Sequence, residues 1–273
     1  MNRITEQPSH HRHLEKMSIS EITRCINSED KKVPEAIQKV LPAVNALIDA
    51  IVKQLKQGGK LYYVGAGSGG RLSVLDAIEM PTTYGVEKDL FNVILAGGVE
   101  NLHKALEEEE DNPEQGVNSL IKHKVSKKDF VLGISASGTT PFVLGALKYC
   151  TENGIPSGCL VSNPNSPIAQ LAEYPVEIIT GPEFISGSTR MKCGTAQKLL
   201  LDMISTTTMI QLGRVIDNRM VYVSLINKKI VDRAVKIFMG KGKIHDYEEA
   251  KERLLNAGNV VKALDLLKSE RNH

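Results

Sequence analysis

Tyr62-Tyr63-Val64-Gly65-Ala66-Gly67-Ser68-Gly69-Gly70-Arg71, followed by Asp76-Ala77-Ile78-Glu79-Met80-Pro81, is the stretch on which the reading of this chain turns. A short apolar strand runs into a glycine loop, then into a helix expected over residues 71–78, and Pro81 is expected to stop it. A glycine loop at a helix N-terminus offers several free backbone N–H groups, which together hold an anion such as phosphate. Glu79, two turns further on, supplies a candidate acid/base near the same place. A carboxylate close to a helix C-terminus is electrostatically unfavourable, and that placement itself hints at use. Phosphate binding beside a carboxylate suggests chemistry on a phosphorylated small molecule.

Outward from this stretch the chain alternates strand, loop and helix. Strands are expected over residues 61–64, 91–96, 130–135, 158–162 and 176–179, with helices over 71–78, 113–123, 141–153 and 166–173 between them. Short continuous apolar strands alternating with helices indicate an α/β fold with a parallel sheet covered on both faces. Right-handed crossovers then bring the loops that follow the strands to one edge of the sheet, where ligands bind. Upstream, Ser18-Ile19-Ser20-Glu21 reads as a capping box opening a short helix to about Asn27. A second helix starts near Pro34 and runs to Gly58-Gly59, with Ile37, Val40, Leu41, Val44, Leu47, Ile48, Ile51 and Leu55 at core-facing spacing. Downstream, a long helix over residues 192–212 reads as a buried core helix, and residues 231–268 as small helices broken at Gly240-Lys241-Gly242 and Ala257-Gly258-Asn259.

Bulk properties narrow the class. The 273 residues are 41% hydrophobic and 24% charged, with a net charge of +2, as in an ordinary globular protein able to bury a full core. No long basic block is present, so a nucleic-acid surface is not indicated. No apolar run approaches the ~20 residues that span a bilayer, and residues 1–16 lack a signal-like apolar core. Cys25, Cys150, Cys159 and Cys193 form no C-x-x-C pair, which fits free thiols in a cytoplasmic protein.

Gly65, Gly67 and Gly70 also satisfy G-x-G-x-x-G, but a dinucleotide site wants an acidic residue at the tip of the second strand, about 20 residues on. Here that strand runs into Leu95-Ala96-Gly97-Gly98, so a phosphate-only loop is the better reading. A second loop supports it. Ser135-Ala136-Ser137-Gly138-Thr139-Thr140-Pro141 gathers four hydroxyls, a glycine and a helix start, the hydrogen-bonding groups a phosphate monoester needs; alone it would read as a Ser/Thr helix cap. A third segment, Ser186-Gly187-Ser188-Thr189-Arg190-Met191-Lys192, sets hydroxyls and the cations Arg190 and Lys192 before the long helix. Glu107-Glu108-Glu109-Glu110-Asp111 reads by default as a solvated helix face, and spacing does not single out one of the five. His10, His11 and His13 cluster without the partners that complete a metal site. Neither a metal nor a cofactor is expected.

The run from Gly65 to Glu79 resembles the signature of the N-acetylmuramic acid 6-phosphate etherase family, as do Ser137-Gly138-Thr139-Thr140-Pro141 and the segment from Gly187 to Lys198. The resemblance is nearly continuous from about Asp30 to about Asp232. It implies a sugar isomerase (SIS) fold: an α/β/α sandwich around a five-stranded parallel sheet, with flanking N-terminal helices and a small helical C-terminal part. The corresponding division is an N-terminal helical segment at 1–57, a SIS domain at 58–220 and a C-terminal segment at 221–273. It further implies a homodimer, with the site near the subunit interface; the composition and residue patterns above add the expectation of a cytoplasmic protein with no metal, nucleic-acid or membrane partner.

The implied reaction cleaves the D-lactyl ether of N-acetylmuramic acid 6-phosphate to N-acetylglucosamine 6-phosphate and D-lactate. In the ring-opened sugar the C3 ether lies β to the C1 aldehyde. A base can therefore take the C2 proton, an acid can protonate the leaving lactate, and water can add to the unsaturated aldehyde. The family's glutamates fall on Glu79, as acid, and Glu110, as base. The phosphate and substrate ligands fall on Gly67, Ser68, Gly69, Ser135, Ser137, Gly138, Thr139, Thr140, Ser188, Arg190 and Lys192. The chain departs from the family pattern at Ser68-Gly69-Gly70, where Thr-Ser-Gly is usual, and at Thr139, where many members carry Arg. Thr5-Glu6 matches the family's opening. A sugar phosphate isomerase on the same fold and a non-catalytic sugar-phosphate sensor are the competing readings.

Overall fold

The structure is a computed structural model that describes residues 3–104 and 106–271. Two compact units make up the chain: Met1–Ala77 with Leu90–Ile204, and Ile78–Asp89 with Ser205–His273.

The first unit opens with helices α1 (Ile19–Asp30) and α2 (Lys32–Lys56). Ser18 and Glu21 form the expected capping box. Helix α2 begins two residues before Pro34 and runs straight through Pro42. Its buried face is Val33, Ala36, Ile37, Val44, Leu47, Ile48, Ile51, Val52 and Leu55. Val40 is only partly buried and Leu41 is exposed, contrary to expectation, although both share the helical spacing of the buried stripe.

Strands β1 (Leu61–Gly65), β2 (Phe91–Leu95), β3 (Phe130–Ser135), β4 (Ser157–Val161) and β5 (Tyr174–Glu177) form one sheet in the order β2-β1-β3-β4-β5, every pair parallel. All residues of β1, β3 and β4 are buried, as strands covered on both faces require. One face packs Tyr62, Val64, Val131, Cys159 and Val161 against Leu120 of α4 (Pro113–Lys122), Phe142, Val143 and Leu147 of α5 (Pro141–Asn153) and Ile168 of α6 (Pro167–Leu171). Because β2 lies to one side of β1 and β3 to the other, the loops leaving β1 and β3 diverge and leave a crevice, the usual ligand position in an open parallel sheet.

Helix α3 spans Gly67–Tyr84. The sequence-based helix over 71–78 is therefore too short at both ends, and Pro81 does not stop it. A proline near the end of a helix costs one hydrogen bond, which the remaining turn survives; Gly85 N–H still donates to the Pro81 carbonyl. Glu79 thus stands five residues short of the helix end, so the inferred clash with the helix dipole does not arise. Buried Tyr63 donates to Asp76 Oδ2 at 2.9 Å, tying α3 to β1, and burial, with Asp76 beside it, pushes the phenol's pKa up.

The long helix α7 (Lys192–Gln211) passes, like α3, from the first unit to the second. The second unit then holds a two-strand ribbon, β6 (Val215–Ile216) with β7 (Arg219–Met220), and helices α8 (Lys228–Gly242), α9 (Tyr247–Ala257) and α10 (Val260–Arg271) around Val235, Phe238, Leu254 and Leu267. No helix among the described residues is long and apolar enough to cross a membrane. The four cysteines are unpaired, and burial pushes the thiols of Cys150, Cys159 and Cys193 up to about 12.

A buried ion pair fastens α1 to the start of α7. Lys192, 2% exposed, donates to Glu29 Oε2 at 2.6 Å, while Lys32 and His11 reach Oε1 at 2.7 and 3.2 Å. Burial alone would raise the Glu29 pKa, but these three bonds outweigh it and hold the carboxyl at about 2, below its ordinary 4.5. A lowered carboxylate pKa stabilises the fold above pH 4.5 by about 3 kcal/mol, and that contribution drains away as pH falls towards 2. Glu29→Gln, which strands the Lys192 ammonium, is expected to lower the thermal midpoint at pH 7 by on the order of 10 °C. It should also flatten the acid limb of the stability curve measured by circular dichroism. An acid limb unchanged from the parent would remove Glu29 from that role.

Candidate active site

A cavity of about 400 Å³ opens where the loops after β1 and β3 diverge. All of its lining residues belong to the first compact unit. The first turn of α3, Gly67 to Gly69, forms one wall, and the amides of a helix's first turn have no intrahelical acceptor.

The Ser/Thr loop forms the second wall. Ser135 Oγ lies 2.8 Å from Thr140 Oγ1 and 3.3 Å from Ser137 Oγ, and it accepts from the Gly138 N–H at 3.1 Å. Ser137 Oγ accepts from the Thr139 amide and hydroxyl at 3.2 and 3.1 Å. Thr140 occupies the N-cap position of α5 yet makes no side-chain cap bond. Its hydroxyl joins the serine cluster instead, so the ordinary helix-cap explanation of this loop does not hold. Gly138, at φ +71, lets the loop turn against Ser166, where a Cβ would lie 2.3 Å from the side chain.

The third wall is Gly187 to Arg190, leading into α7. Of the residues expected to bind substrate, Gly67, Ser68, Gly69, Ser135, Ser137, Thr140, Ser188 and Arg190 line the cavity together. Gly138 and Thr139 do not line it; they shape its second wall through the bonds above. Lys192 departs from expectation: its ammonium is committed to Glu29, and the backbone N–H groups of Lys192 and Cys193 donate to buried Glu183 at 2.9 Å, which caps α7. One-dimensional spacing showed a cation before a helix but not which way it turned.

The two expected catalytic carboxylates fare differently. The acidic run forms a 3-10 turn, Glu107–Asp111, and not a helix face. Gln115 donates to Glu109 at 2.6 Å, while Glu110 lines the cavity over the glycine loop: a Cβ on Gly67 would sit 2.7 Å from Glu110 Oε1. Glu79 is exposed on α3, more than three turns after Gly67, in the stretch that belongs to the second unit.

Four lining residues with polar side chains went unassigned in the sequence: Glu6, Arg71, Thr189 and Gln197. Glu6 is held there by the N-terminal segment, since Asn163 Nδ2 donates to Thr5 Oγ1 at 2.9 Å and to the Ser137 carbonyl at 3.0 Å. Its match to the family's opening was the available signal. Arg71 donates to the Lys104 carbonyl at 3.1 Å; it and Gln197 lie inside the quoted motifs, where spacing assigned them no task. Among the described residues no cluster of His, Cys, Asp and Glu is placed to hold a metal ion.

A parallel sheet in this order with a hydroxyl-lined crevice at its switch point is a doubly wound α/β domain, and its class is a SIS domain. Family profiles agree: the SIS domain matches residues 109–206, and the glucokinase regulatory protein N-terminal SIS domain matches residues 43–151. Solved structures of similar fold include a phosphoheptose isomerase from Francisella tularensis (TM-score 0.56, 15% identity, 71% of this chain and 99% of that one). A phosphoheptose isomerase from Neisseria gonorrhoeae is similar at TM-score 0.54 and 15% identity, over 70% of this chain and 98% of that one. Much nearer in sequence are proteins named N-acetylmuramic acid 6-phosphate etherase. That of Bacteroides fragilis is 48% identical over 98% of this chain and 95% of its own length. That of Porphyromonas gingivalis is 47% identical over 98% and 97%, and that of Yersinia pestis 49% identical over 82% and 76%. The chain belongs to the N-acetylmuramic acid 6-phosphate etherase family.

Gly67 is the position where loop and carboxylate meet. It adopts φ +52, and any side chain would displace Glu110. Gly67→Ala is expected to lower turnover at least tenfold, as misplacement of a catalytic group does, while the melting temperature stays within a few degrees. Full turnover in a folded Gly67→Ala protein would separate Glu110 from the chemistry.

Proposed function

We propose that this protein cleaves the D-lactyl ether of N-acetylmuramic acid 6-phosphate, releasing D-lactate and N-acetylglucosamine 6-phosphate in the recycling of cell-wall amino sugars. The observation that carries the reading is the Glu110 carboxylate lying against the glycine loop of a hydroxyl-lined cavity, in a chain nearly half identical to proteins of that name.

The phosphate is held by Ser68, Ser135, Ser137 and Thr140 with the first-turn amides of α3 and with Arg190, which makes no ion pair among the described residues. Gly69 and Ser188 complete its walls, while Gly138 and Thr139 hold the loop's shape. This anchorage turns binding energy into placement of the reacting carbons. Glu110 takes the C2 proton of the open-chain sugar, whose acidity comes from the C1 aldehyde. The electron pair moves to form the C2–C3 double bond as the C3–O bond breaks, and the departing lactate oxygen receives a proton from Glu79. Water then adds at C3, its hydroxyl going to carbon as Glu79 takes back a proton from it, and Glu110 returns its proton to C2, so both carboxyl groups regain their starting states and the net change is one water consumed. The two carboxyl groups need opposite protonation states at the start, a common division of labour between catalytic acids and bases.

Glu79 stands exposed on α3 while Glu110 lines the cavity, and we assign the complete site to a homodimer in which it lies near the subunit interface. The enzyme works in the cytoplasm, in keeping with its four unpaired cysteines.

Purified protein should release D-lactate from N-acetylmuramic acid 6-phosphate and not from the unphosphorylated sugar. Release from neither, with the sugar phosphate still bound, would favour an isomerase or a sensor. Glu79→Gln and Glu110→Gln should each abolish release without unfolding the protein. Mixing the two inactive variants after subunit exchange should restore up to about a quarter of parent activity if each site draws its carboxylates from different subunits, since half the dimers are then mixed and carry one intact site. No recovery on mixing would place both carboxylates in one subunit.

A further inference from the structure

Gln197, on the second turn of α7, is only 3% exposed and lines the cavity, yet its carboxamide has no hydrogen-bond partner among the described residues. The contrast with Asn163, another buried amide, is plain. Asn163 accepts from the Thr5 amide and donates to Thr5 Oγ1 and the Ser137 carbonyl. Buried polar groups in folded proteins are nearly always paired within the protein, whereas the Gln197 carboxamide opens onto the cavity with both its donor and its acceptor available to a ligand. Gln197 therefore waits on a partner that enters the cavity.

Its surroundings say what kind. A Cβ on Gly69 would lie 3.1 Å from Gln197 Oε1 and 2.8 Å from Ile134 Cγ2, so the absence of a side chain at Gly69 is what lets the amide occupy this place. Glu110 lies against Gly67 in the same loop. Two residues of chain span at most about 7 Å, so carboxylate and carboxamide address neighbouring points of one bound sugar. A carboxamide can donate to a phosphate only through its nitrogen, which leaves its oxygen unmatched. Its complement is a group carrying one donor and one acceptor side by side, which another amide supplies.

We propose that Gln197 reads the 2-acetamido group of the substrate. Oε1 accepts from the acetamido N–H while Nε2 donates to its carbonyl. The acetamido nitrogen is bonded to C2, the carbon from which Glu110 takes its proton. Gln197 is thus a specificity and positioning residue beside the base, and this assignment rests on the etherase reading above.

The test compares D-lactate release from N-acetylmuramic acid 6-phosphate and from its non-acetylated analogue, muramic acid 6-phosphate, for the parent, Gln197→Met and Gln197→Leu. The parent should prefer the acetylated sugar. Either substitution should cut kcat/KM for the acetylated sugar about tenfold to hundredfold more than for the amine, with the melting temperature equal to or above the parent's. An equal loss on both sugars, or no loss on either, would overturn the assignment. Should the parent release no lactate at all, the etherase reading itself fails. Calorimetric binding of N-acetylglucosamine 6-phosphate against glucosamine 6-phosphate then decides the role of Gln197: a preference for the acetylated ligand that both variants abolish supports it, and a preference they leave intact refutes it.

Discussion

The contact between Gly65 and Gly70 is the constraint from which the site is built. A Cβ on Gly65 would fall 2.9 Å from the Gly70 Cα, and one on Gly70 would fall 2.4 Å from Leu95 Cδ1. Backbone therefore packs directly on backbone where β1 turns into α3. This closeness presents the first turn of α3 to the crevice at the end of the sheet. Strand order does the rest: with β2 on one side of β1 and β3 on the other, the Ser/Thr loop of β3 opens beside the glycine loop of β1. Neither loop is a convincing anion site alone. Side by side, the two supply hydroxyls and unpaired amides around one cavity.

The elements that complete the cavity are distant in sequence and held by buried polar contacts. Thr5 and Asn163 dock the N-terminal segment on the Ser/Thr loop, which carries Glu6 to the rim. Glu183 caps α7, and the Lys192–Glu29 pair ties that cap to α1. Buried ion pairs of this kind cost desolvation and are costly to break. Here their geometric effect is to set the segment from Gly187 to Arg190, and Gln197 one turn further on, against the glycine loop. Lys192 shows the division well: a cation three residues from the cavity's Thr189 serves the scaffold, while Arg190 serves the cavity.

Much of this was legible beforehand. The five strands, the long α7 and the helical C-terminal part follow from apolar runs, hydrophobic period and glycine breaks, and the structure changes mainly their ends. Helix α3 is the exception. Gly67 to Gly70 suggest loop and Pro81 suggests a stop, but the Gly65–Gly70 contact and the Tyr63–Asp76 bond hold the start of the helix on β1, and Gly85 N–H still donates to the Pro81 carbonyl at its end. The acidic run was opaque for a different reason. Five consecutive carboxylates have no pattern of their own; the family resemblance picked Glu110 from the run, and the 3-10 turn gives the physical reason by laying it over Gly67.

By itself the sequence determined the alternation of strands and helices, the glycine and hydroxyl loops that follow β1 and β3, and the motifs that mark the family. Those are local properties, carried by residue type and spacing. Tertiary structure alone decided which loops are neighbours, that Lys192 turns inward to Glu29, and that Glu6, Glu110 and Gln197 meet at one cavity. Such facts depend on strand order and on which side of each helix is buried. No stretch of neighbouring residues encodes either one.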